Sequence, residues 1–170
     1  MLLPRVFCAL IVIWVAAAFG QPRPMQVQSS PAPDFIAYQA LFRNVVWIEN
    51  QAAQEDAASA AALRSQIPKA VGLSSADYAA LVAIAKDYAA ARASYISARD
   101  AILNPVLAQQ AAGGTATSAQ AVQLGNLFQQ YIAMIENHVA QPASKLTLAG
   151  AQALANYVHT SVAPGVTWGK

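Results

Sequence analysis

Alanine, and the spacing of larger apolar residues among it, limits what this chain can fold into. After residue 20 the sequence holds 36 alanines. Alanine is the strongest helix former and gives a strand little to pack with. In the stretch "GLSSADYAALVAIAKDYAAARASYISARDAIL", Gly72 to Leu103, the larger side chains recur at three- and four-residue intervals instead of alternating. That is the period of one helix face, not of a pleated strand. The expectation is an all-α fold, an antiparallel bundle of about four helices, two long and two shorter.

The caps set the expected boundaries. Asp34 after Pro33 is placed to cap a first helix whose stripe is Tyr38, Leu41, Phe42, Val45, Ile48 and Ala52, running on through "QAAQEDAASAAALRSQ" until Pro68. Ser74, with Asp77 three residues later and Leu73 and Tyr78 as a hydrophobic staple, predicts a second long helix to about Leu103. Asn104-Pro105 reads as a fresh start for a short piece ending at Gly113-Gly114. Thr117 or Ser118, with Gln120 three residues after Thr117, opens a third helix that carries Leu124, Leu127, Phe128, Tyr131 and Ile135 and closes near Pro142. Thr147 opens the last, with Leu148, Ala151, Leu154, Ala155, Val158 and Val162 before Pro164-Gly165.

The ends imply export. Arg5, the apolar run Val6 to Ala18 and the small-residue site Ala18-Phe19-Gly20 read as a signal peptide over residues 1–20, cleaved before Gln21. The run falls short of the roughly 20 residues of a membrane span, so no stable anchor is expected after cleavage. The mature protein is expected to be periplasmic or extracellular. Residues 21–33, "QPRPMQVQSSPAP", read as a stiff tether, 34–163 as one helical domain and 164–170 as a tail containing Trp168. The only cysteine, Cys8, lies in the signal, so the mature chain would have no disulfide and would rest on its core alone. Without Arg5 the chain has nine Lys or Arg against eight Asp or Glu. This near balance gives no electrostatic reason to expect nucleic acid or a charged membrane surface as partner.

The starts "LSSAD" and "LTLAG" resemble those of small helical periplasmic stress chaperones of bacteria, which repeat an L-T-x-x-Q signature. The resemblance covers about ten residues, with Asp77 and Gly150 standing where that signature has glutamine. It implies the class of protein and carries over no site residue. Shared capping chemistry accounts for the likeness between the two starts with fewer assumptions than a duplication.

Few side chains could support catalysis. There is no nucleophile elbow, phosphate-cradling loop or paired metal-ligand spacing, so neither an enzyme nor a bound cofactor or metal is expected. His138 and His159 fall towards helix ends, where C-terminal capping explains them; a shared ligand site is the alternative. Glu49 lies within the apolar stripe of the first helix, and a carboxylate there needs a partner. Arg92 and Arg99, at the margin of the second helix's stripe, are the expected cations. Ile36, Arg43 and Trp47 lie on the opposite side of the first helix, a surface for another helix or for a protein partner. The function expected is protein binding or structural association. The alternative is a ligand- or cofactor-binding bundle with an interior site of Glu49, His138, His159 and an arginine.

Overall fold

The computed structural model describes residues 32–166, and every regular element within them is helical. Helix α1 spans Asp34–Ala52, α2 Ala57–Arg64, α3 Gln66–Val71, α4 Ser75–Ala111, α5 Ser118–Lys145 and α6 Leu148–Tyr157. A π-helical turn, Val158–Val162, and a 3-10 turn, Ala163–Gly165, continue α6. Residues 1–31 and 167–170, with the expected signal, most of the tether and Trp168, lie outside the described residues.

Three expected starts occur where the cap chemistry places them. Ser74 accepts from the Asp77 N–H, Thr147 from the Gly150 N–H, and Thr117 with Gln120 forms a reciprocal capping box. Other boundaries differ. Pro33, not Asp34, is the N-cap of α1, and Asp34 is its first helical residue. The first helix does not run to Pro68, because the Asp56 carboxylate accepts from the N–H groups of Ala58 and Ser59 and starts α2 there. The second helix does not end at Leu103; it continues through Pro105 to Ala111, and α5 likewise passes Pro142 to Lys145. A proline inside a helix removes one donor and crowds one carbonyl, which these elements tolerate. Gly72 and Gly113 end α3 and the α4 connection with φ of 83° and 81°, in the left-handed region where a side chain is strained.

The core forms where α1, α4, α5 and α6 meet. Leu41, Phe42, Val45 and Ile48 of α1 pack with Leu81, Ile84, Ala85 and Tyr88 of α4, Ile135 of α5 and Leu154 of α6. Fully burying a Leu, Ile or Phe contributes roughly 1.5–3 kcal/mol, so these larger side chains dominate the fold's stability.

Side-chain pairs fix how the helices run. Asp77 meets Thr147, Asp87 meets His138 and Tyr95 stacks on Tyr131, so α4 and α5 run antiparallel from the core to the turn after Ala111. Gln39 meets Tyr88 and Glu49 meets Tyr78, so α1 runs antiparallel to α4 and covers only its first half. At 1.5 Å per residue the 37 residues of α4 reach about 55 Å, whereas the 19 of α1 reach about 28 Å. The far halves of α4 and α5 therefore project as a two-helix arm. Beyond Tyr88, α4 buries only Val106, and α5 buries nothing before Ile135. Tyr95, Ile96, Ile102 and Leu103, whose helical spacing with Leu81, Val82 and Tyr88 predicts a buried stripe, are half-buried for this reason.

Candidate functional site

Glu49 does find an arginine, but from a different helix than expected. Its Oε2 accepts from Arg64 Nε at 3.1 Å and its Oε1 from the Tyr78 hydroxyl at 3.1 Å. The break at Asp56 turns α2 back along α1 and brings Arg64 within reach. Burial first, and then the Glu49 charge, push the Tyr78 hydroxyl up to about 12. Arg99 turns to its own neighbour Asp100, at 2.7 Å, and Arg92 lies half-buried near Tyr88. Neither of these arginines is the partner of Glu49.

The two histidines engage different groups. His138 is buried within α5, where Nδ1 donates to the Met134 carbonyl at 2.7 Å and Nε2 faces the Asp87 carboxylate at 3.2 Å. Tyr88 lies edge-on to its ring at 5.6 Å. It is therefore not a terminal cap, since α5 extends seven residues further to Lys145. His159 sits exposed in the π-helical turn, 3.7 Å from Asp34. Glu49, His138 and His159 thus have three separate sets of partners, and no cluster of three or more metal-ligating side chains occurs among the described residues.

Two further polar junctions were not anticipated. Gln39 Oε1 accepts from both Tyr88 and Tyr131 hydroxyls, at 3.0 and 3.1 Å, joining α1, α4 and α5 at one atom. The Asp77 carboxylate accepts from the Ser74 hydroxyl, the Thr147 N–H and the Thr147 hydroxyl at 2.7, 2.7 and 3.0 Å. One side chain thereby serves the N-termini of α4 and α6. The Thr147 N–H foremost, then the Ser74 hydroxyl, hold its carboxyl below the usual range. Gly150 fits against it because a Cβ there would stand 2.7 Å from Asp77 Cγ. The two positions that depart from the L-T-x-x-Q pattern thus touch each other. Their sequence signal was the pair of hydroxyl caps, which gave the local role of Asp77 and not its long-range one. Every buried side-chain nitrogen and oxygen among the described residues has a partner, so these junctions hold the fold together and leave no buried polar atom aimed at a ligand.

Besides the exposed Phe35 and Leu148, open apolar surface among the described residues lies in two places. On α1, Ala40, Arg43, Asn44, Val46, Trp47 and Asn50 line a shallow groove with Val166, and Trp47 is 54% exposed. Ile36, half-buried, stands outside that groove. The second surface is the projecting arm. No Asp, Glu, Lys or Arg occurs from Ala101 to Ile135, and Leu107 and Val122 are exposed while Leu124, Leu127 and Phe128 are half-buried. No single described helix is long and apolar enough to cross a membrane. Set against protein-family models, characterised proteins and solved structures, the chain matches none of them.

Proposed function

We propose that this protein is exported and works by associating with protein surfaces, not by catalysis. The carrying observation is the arm, two helices that are uncharged from Ala101 to Ile135 and whose apolar side chains extend past the core with no third helix over them among the described residues. An arm of this kind needs a protein surface to be fully desolvated, and a helix-in-groove contact supplies one. The polar side chains that would have made an interior ligand site are bonded within the fold, which supports association over ligand binding. Export rests on residues 1–20, and the absence of thiol from the remaining sequence suits an oxidising compartment.

Site-specific photocrosslinking in the native compartment tests the reading. A photoreactive phenylalanine at Leu107 should give a discrete crosslinked protein species, whereas one at Lys86, on the exposed side of the packed half of α4, should not. N-terminal sequencing of the recovered chain should begin at Gln21. Equal yields at Leu107 and Lys86 would refute the assignment to the arm.

A further inference from the structure

The groove on α1 takes in the last residue of the described chain. Ala40, Arg43, Asn44, Trp47 and Asn50 recur at three- and four-residue steps, the period of one helix face, and they lie on the side away from the core that Leu41, Phe42 and Val45 enter. All but Ala40 are exposed, and Trp47 is the large aromatic side chain among them. Among the described residues, the half-buried Val166 is the lining residue that α1 does not supply. The chain comes to the groove from the start of α1. The Ala163 carbonyl accepts from the Ala32 N–H at 3.2 Å, and three residues later Val166 lines the groove with extended backbone, φ −95° and ψ 116°. Along an extended chain, side chains two residues apart lie on the same side, about 7 Å apart. The residue two beyond Val166 is Trp168.

We infer that Trp168 docks in this groove against Trp47, so that residues 167–170 close over the outer face of α1. The inference goes beyond the association reading and does not depend on it. Size suits the occupant. The groove holds about 840 Å³, within the range that takes a drug-sized group and ample for an indole. Its chemistry suits an indole as well. Trp47 offers an aromatic surface for an offset or edge-on pair, and Arg43, one turn before it, offers a guanidinium that can lie over an indole face. Asn44 and Asn50 offer carboxamide oxygens to the indole N–H, a donor that needs an acceptor once covered. The tether favours this segment over a free partner. Two residues beyond a half-buried Val166, Trp168 is held at a high effective concentration that any separate molecule must outcompete. Residues 21–31, next to α1 at its other flank, have only Met25 and Val27 as large apolar side chains. Docking occupies Arg43 and Trp47 within the chain and leaves the arm as the face open to another protein.

Tryptophan fluorescence of the mature protein tests this directly. Trp14 lies in the expected signal, so only Trp47 and Trp168 remain, and removing either leaves the other as the reporter. In Trp47→Phe, which keeps an aromatic surface, Trp168 should emit to the blue of solvated indole and be quenched by acrylamide several-fold less than in the urea-unfolded chain. Adding Ala40→Gln, which fills the groove with a good helix former, should shift that emission to the red and restore the quenching, with helical circular dichroism unchanged. Deleting residues 167–170 should in turn make Trp47 more accessible to acrylamide. In the parent protein, nuclear Overhauser contacts should join the Trp168 ring to the Ala40 methyl group. A Trp168 as accessible in the folded chain as in urea, or one shielded equally with and without Ala40→Gln, overturns the inference. Shielding of Trp47 that is lost on deleting residues 21–31 and not on deleting 167–170 assigns the groove to that other segment and overturns it. Shielding of both tryptophans that fades on dilution assigns the groove to a second copy of the chain, and overturns it as well.

Discussion

A single side-chain position shows how tightly the two capped helix starts are joined. Asp77 is buried and faces three donors from Ser74 and Thr147, and Gly150 closes the remaining side. A methyl group at position 150 would lie 2.7 Å from a carboxylate that cannot retreat without stretching those bonds. Alanine normally favours a helix over glycine by up to about 1 kcal/mol. Here the contact should reverse that preference, and Gly150→Ala should lower stability by about 1–3 kcal/mol in urea unfolding, as overpacking does. A neutral or stabilising result would mean that Asp77 is freer than its bonds imply. The direction of the Asp77 shift adds a pH sign. A carboxyl held below its ordinary range contributes stability that is present above that range and is lost as the pH falls through its folded value.

At the scale of elements, what the sequence made legible was what is decided locally. Ser74, Thr117 and Thr147 cap helices where they stand because a cap needs only the next three residues. The break at Asp56 was hidden, since an aspartate in an alanine-rich run also suits an exposed helix surface, and the choice is made by α2 folding back on α1. The partner of Glu49 was hidden with it, because Arg64 comes within reach only after that turn. Pro105 misled for the opposite reason. It breaks local bonding, yet α4 continues through it because the arm is exposed and water can serve the freed Ala101 carbonyl. The proline should still weaken the arm. Pro105→Ala is expected to raise amide-exchange protection from Ala101 to Gln109 while leaving Leu81 to Tyr88 unchanged, since the two regions open separately. Uniform protection along α4 in both proteins would show that the arm and core unfold as one unit.

Over the whole molecule, tyrosine hydroxyls tie the long helices together. Tyr78 reaches from α4 to Glu49 of α1, while Tyr88 and Tyr131 reach from α4 and α5 to Gln39. Burial pushes the hydroxyl pKa of Tyr38, Tyr78, Tyr88 and Tyr95 above the ordinary tyrosine value, that of Tyr78 up to about 12. The folded chain therefore holds protons on these groups at a pH where the unfolded chain has begun to release them. Stability follows the protons: the contribution is complete below the ordinary tyrosine value of 10.0 and is lost as the pH rises through the folded values. Urea midpoints should fall from about pH 10 upward, and absorbance near the tyrosinate band should rise together with loss of helical circular dichroism. Tyr78→Phe keeps the ring and removes one of the raised hydroxyls, so its midpoint should fall less steeply over the same range while remaining below that of the parent at neutral pH, where Glu49 loses a donor. Identical slopes for the two proteins would show that the Tyr78 hydroxyl ionises in the folded chain as it does in the unfolded one, and that its bond to Glu49 does not hold α1 to α4.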